Sequence, residues 1–150
     1  MKRFLCVLLV MVFLAGCAPG SVIKDAPTGT PAQDELVITY QTSGGIAGMT
    51  TTWNVYASGK IVSDSGKAFN VTPEQVSALR DQLISAGFAA QAKDMPRVKP
   101  CPDCTQTDLT VMVDGQPVTL SVINEAADTP AAVAGLVQKV SAFIAEGQTK

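Results

Sequence analysis

Residues 108–123 read Asp-Leu-Thr-Val-Met-Val-Asp-Gly-Gln-Pro-Val-Thr-Leu-Ser-Val-Ile. Two β-prone runs, Asp108 to Val113 and Pro117 to Ile123, flank Asp114-Gly115, a strong hairpin-turn signal. Downstream, Thr129-Pro130 opens a helix whose apolar stripe is Val133, Leu136, Val140 and Phe143 or Ile144. Upstream the same order appears once more. Thr51 to Ala57 is a strand with Trp53 and Val55 on one face, Ser58-Gly59-Lys60 is a turn, and Lys60 to Asp64 returns. Thr72-Pro73-Glu74-Gln75 then combines a favoured N-cap, a proline at the first helical position and a capping box. Val76, Leu79 and Leu83 follow at helical spacing, Gly87 is placed to end the helix, and Phe88 to pack back on it.

One further strand, Glu35 to Gln41, alternates apolar and polar residues ahead of both units. Gly59 and Gly115 lie 56 residues apart, and Thr72 and Thr129 lie 57 apart, so a β-β-α unit is used twice. The expected class is α+β: an antiparallel sheet of about five strands with two helices on one face, in the order β-β-β-α-β-β-α. Residues 35–148 are expected to form one domain.

The start of the chain has a different character. Lys2 and Arg3 precede an apolar run from Phe4 to Leu14 (FLCVLLVMVFL). That run is shorter than the roughly 20 residues needed to span a bilayer and suits the core of a secretion signal. Leu14-Ala15-Gly16-Cys17 resembles the lipobox of bacterial lipoproteins. The resemblance implies cleavage after residue 16 and a diacylglycerol on Cys17, the first mature residue. The expected location is the extracytoplasmic side of a cell envelope. Ala18, in place of Asp, resembles the pattern for onward sorting to the outer membrane where the cell is Gram-negative. Residues 17–34, with Pro19, Pro27 and Pro31, read as a tether with a mean reach on the order of 20–25 Å.

Composition excludes several functions. Cleavage removes Lys2 and Arg3 and leaves 9 basic against 13 acidic side chains. With no basic cluster and no aromatic platform, nucleic-acid binding is not expected. The chain has no His. That removes Ser–His and Cys–His nucleophilic catalysis, a histidine base and the usual zinc sites. The paired carboxylates Glu125 with Asp128 and Asp103 with Asp108 have no sequence feature that brings them into a pocket. No catalytic residue, cofactor or metal is expected.

Cys101-Pro102-Asp103-Cys104 is the remaining cysteine pair. In an oxidising compartment it is most simply a disulfide that stiffens the loop ahead of the next strand. A thioredoxin-like redox site needs a helix N-terminus to lower the thiol pKa, and a strand follows here. Metal binding with Asp103 or Asp108 would have two thiolates and no His.

Between the first two strands lies Ser43-Gly44-Gly45-Ile46-Ala47-Gly48-Met49, a connection longer than a hairpin requires. It lacks the Gly-Lys-Ser/Thr ending of a phosphate loop, and no helix follows it. Its glycines permit positive φ or close backbone approach. Ile46 and Met49 mark either a contact surface or a loop folded back on its own sheet.

This segment, followed by Thr52-Trp53-Asn54-Val55, resembles the emfourin-type family, proteinaceous inhibitors of thermolysin-like (M4) metalloproteases. The family opens with a strand, a Ser-Gly-Gly-Phe-Ala-Gly-Ile-like segment and a Thr-Trp-Thr-Val strand. Ala86-Gly87-Phe88, the strand pair from Asp108 to Ile123, and the helix entered through Pro130 follow in the family's order. Thr42 stands where the family commonly has Arg, and Ile46 where it has an aromatic residue. The resemblance implies a non-enzymatic inhibitor that occludes a protease cleft. Ser43 to Met49 would form the contact surface, with Ile46 and Met49 as its apolar anchors. The alternatives are a non-inhibitory envelope binding or assembly lipoprotein and a Cys-x-x-Cys thiol redox lipoprotein.

Overall fold

A computed structural model of the chain describes residues 34–95, 103–124 and 126–149. The signal, Cys17, most of the tether, Cys101 and Glu125 lie outside these. In chain order the elements are β1 (Leu36–Gly44), β2 (Met49–Tyr56), β3 (Lys60–Ser63) and β4 (Ala68–Asn70), then α1 (Pro73–Ser85) and α2 (Phe88–Asp94). After these come β5 (Thr105–Val113), β6 (Gln116–Ile123) and α3 (Ala131–Gly147). All strand pairs are antiparallel in one sheet of order β4-β3-β2-β1-β5-β6. The two hairpins expected from the sequence therefore flank the leading strand β1, one on each side.

Asp114 (φ 49°) and Gly115 (φ 74°) both take left-handed backbone at the β5–β6 turn, as a two-residue hairpin of this kind demands. Side chains facing the helices form rows across the sheet. One is Ser63, Trp53, Tyr40, Leu109 and Leu120; the next is Ile61, Val55, Ile38, Val111 and Val118. Val76, Leu79 and Leu83 of α1, Phe88 of α2, and Val133, Leu136, Val140 and Ile144 of α3 close onto these rows as one core. A register shift between Leu36 and Ile38 lets the consecutive Val37 and Ile38 both be buried, where strict alternation would expose one of them.

Among the described residues the sheet has six strands rather than five, and there are three helices rather than two. The added strand, β4, is three residues long with no alternation to read. It is held by Phe69, whose ring lies 5.7 Å from that of Trp53 and fills the space where Gly147 has no side chain. The added helix follows directly from the expected stop at Gly87. Gly87 is left-handed (φ 78°), and Phe88, fully buried, starts α2 instead of merely packing back on α1.

The α1 capping box forms in full. Thr72 Oγ1 accepts from the Gln75 N–H at 3.3 Å, and Gln75 Oε1 accepts from the Thr72 N–H at 3.0 Å. The second helix start does not repeat it: Pro130 is the N-cap of α3 without a side-chain bond, and Thr129 does not cap. At the first turn Gly59 (φ 93°) is required, since a Cβ there would collide with the Val71 carbonyl.

Candidate functional site

β1 and β2 pair as far as Gly44 opposite Met49. The seven-residue connection thus shrinks to a four-residue turn, 45–48, with Ser43 and Gly44 in β1 and Met49 in β2; this turn, with Met49 at its base, is the tip. The Gly48 N–H donates to the Gly45 carbonyl at 2.9 Å and closes the tip. Gly44, Gly45 and Gly48 have φ of 104°, 71° and 59°, a backbone that other residues rarely adopt. Folded this way, the tip does not lie back on its sheet. Ile46 is 97% exposed and Met49 69%.

The tip is tied to a second segment that is distant in sequence. The β1–β5 pairing ends with Gly44 opposite Thr105, and the Gly45 N–H donates to the Cys104 carbonyl at 3.1 Å. A Cβ on Gly44 would collide with that same carbonyl oxygen. Cys104 is itself disulfide-bonded. Behind it, the fully buried Thr107 donates its hydroxyl to Asn124 Oδ1 at 2.8 Å, and the Asn124 N–H donates to the Thr105 carbonyl at 2.8 Å. The Gly-rich segment and Cys104, two separate features of the sequence, meet at one pole of the sheet.

The β1–β2 hairpin has a plain electrostatic character. From Leu36 to Gly59, the whole β1–β2 hairpin, the sequence contains no charged residue. On the face away from the helices, neighbouring polar side chains bond to one another. Thr39 donates to Asn54 Oδ1 at 3.2 Å, Gln41 Nε2 donates to Thr52 Oγ1 at 3.3 Å, and Gln106 Nε2 donates to both oxygens of Asp108 at 2.8 and 3.0 Å. An uncharged tip with two protruding apolar side chains can bury them in a hydrophobic recess of a partner. It has no group suited to acid–base or nucleophilic chemistry.

The sequence pattern alone does not single out Thr105, Thr107 or Asn124. Strand parity carries part of the signal, because Thr107 shares the inward register of Leu109 and Val111. The meeting of Asn124 with Thr105 depends on hairpin register and has no local trace. Among the described residues, no group of three or more His, Cys, Asp or Glu side chains is placed to hold a metal ion. Cys104 leads directly into β5, so no helix starts at it. A groove between α1 and α3, floored by Ala78, Leu79, Gly135 and Ala142, is bridged by Lys139 Nζ donating to Gln82 Oε1 at 2.9 Å. It involves none of the tip residues. No protein-family model matches the chain, and no curated protein matches it.

Proposed function

We propose that this chain is a lipid-anchored, non-enzymatic envelope protein that inhibits thermolysin-like metalloproteases by docking its β1–β2 tip into the protease cleft. The supporting observation is the exposure of Ile46 and Met49 on a tip held to disulfide-bonded Cys104. A surface already in its bound shape loses little entropy on docking. Apolar anchors at its centre supply most of the affinity of a standard interface, about 800 Å² per partner. The emfourin-like order of Ser43 to Met49, Trp53, Ala86-Gly87-Phe88 and Pro130 supports the choice of target.

The lipid on Cys17 would hold this domain at the extracytoplasmic membrane surface, the tether setting its distance. Steady-state inhibition tests the function: the full chain, solubilised in detergent, is titrated against thermolysin-like proteases on a peptide substrate. Stoichiometric loss of activity with the chain left uncut is the expected result. A non-inhibitory envelope binding module is the second reading, favoured by Thr42 and Ile46 where the emfourin family commonly has Arg and an aromatic residue. It would use the same tip and leave proteolysis untouched.

A further inference from the structure

We propose that Met49 is an oxidation site: a hydroperoxide converts its thioether to the sulfoxide ahead of every other described methionine, and so makes the tip polar. The consequence for docking rests on the tip being the contact surface; the chemistry of the site does not.

The described residues contain three methionines, Met49, Met95 and Met112. Met49 opens β2 opposite Gly44, so its cross-strand neighbour has no side chain to lay over it, and it is 69% exposed. Met95, the C-cap of α2, is partly buried and packs against the core. Met112 lies within β5 opposite Pro117 and is also partly buried. An oxidant must reach the sulfur directly, so susceptibility follows exposure. Of the large apolar side chains exposed among the described residues, Leu36, Ile46, Met49 and Ile84, only Met49 has an oxidisable atom.

The sulfur lone pair attacks one peroxide oxygen, and the O–O bond breaks as the S–O bond forms. The departing oxygen takes the proton of the transferred hydroxyl and leaves as water or an alcohol. Sulfur gives up two electrons and the peroxide is reduced. A flexible apolar side chain thereby becomes polar and chiral. Burying a sulfoxide oxygen in an apolar recess that offers no donor is unfavourable, so oxidation weakens docking. Met49 is not part of the buried core, so the fold tolerates the change.

The test treats the full chain, in peroxide-free detergent, with hydrogen peroxide and follows each methionine by peptide mass spectrometry. Met49 should oxidise at least about tenfold faster than Met95 and Met112, with the thermal unfolding midpoint unchanged. Comparable rates at the three, or unfolding in step with Met49 oxidation, overturn the proposal. In a second arm the inhibition constant against a thermolysin-like protease is measured before and after treatment. It should rise at least about tenfold for the parent. For Met49→Leu, whatever its starting value, it should not move, which controls for oxidation elsewhere in the chain. Equal rises in parent and variant, or none in the parent, overturn the link to docking. A parent that never inhibits overturns the inhibitor reading instead, and the oxidation rates, measured without protease, still decide the site.

Discussion

The Gly45 N–H donates to the Cys104 carbonyl at 3.1 Å, joining the Gly-rich tip to the start of β5. This contact explains why Gly44 must be glycine. With φ of 104° and a Cβ directed at the Cys104 oxygen, any side chain would push the two segments apart. Gly44→Ala should lower stability by about 1–3 kcal/mol, read as a lower urea midpoint at unchanged slope. Gly48→Ala, with open space around the same atom, should cost less. Equal losses for the two would mean that the close approach contributes nothing.

Ile46→Asp and Met49→Asp separate binding from folding. Both side chains are largely solvated, so each variant should unfold within about 0.5 kcal/mol of the parent. Inhibition should weaken by at least about 2 kcal/mol, roughly thirtyfold. An unchanged inhibition constant would place the contact on another face.

Because the β1–β2 hairpin is uncharged, its binding should depend weakly on ionic strength. Between roughly 0.05 and 0.5 M salt the inhibition constant should change by less than about threefold, since little charge is available to screen. A steep salt dependence would implicate charged residues elsewhere, such as Asp103 or Asp64.

The two helix starts make a paired prediction. Thr72→Ala removes a formed capping box and should cost about 1 kcal/mol. Thr129→Ala should cost nothing measurable, because Pro130 and not Thr129 is the N-cap of α3. Thermal unfolding of both variants checks this.

Glu74 carries a small pH dependence. Hydrogen bonding from its own backbone N–H, then from Thr72, holds its carboxyl below the ordinary value of 4.5, against slight desolvation. A depressed folded-state pKa stabilises the fold above the unfolded pKa, and that stabilisation is lost as pH falls through the folded pKa. Glu74→Gln should flatten the stability profile below about pH 4.5 and leave inhibition at neutral pH unchanged.

Much of this architecture is legible in the sequence because its signals are local. Asp114-Gly115 fixes a hairpin, and Thr72-Pro73-Glu74-Gln75 fixes a helix start. The spacing of Val76, Leu79 and Leu83 and that of Val133, Leu136, Val140 and Ile144 mark the two long helices. What escapes such reading is decided by tertiary contact. β4 exists because Phe69 packs between Trp53 and Gly147, and three residues carry no period of their own. Thr129 resembles Thr72 in sequence, yet Pro130 takes the cap position.

The candidate site divides in the same way. Three glycines and two apolar residues in a connection mark the tip. Its shortening to four residues depends on the β1–β2 register, and its attachment to Cys104 on β1 pairing with β5. Neither has a local signature.

The most direct test is titration of thermolysin-like proteases with the full chain in detergent, comparing the parent with Ile46→Asp. The parent should abolish peptide hydrolysis at a one-to-one ratio and remain uncut, while the variant, equally folded, should leave hydrolysis largely intact. Full protease activity at micromolar parent protein, or equal inhibition by parent and variant, would contradict the assignment of the β1–β2 tip as a protease-blocking surface.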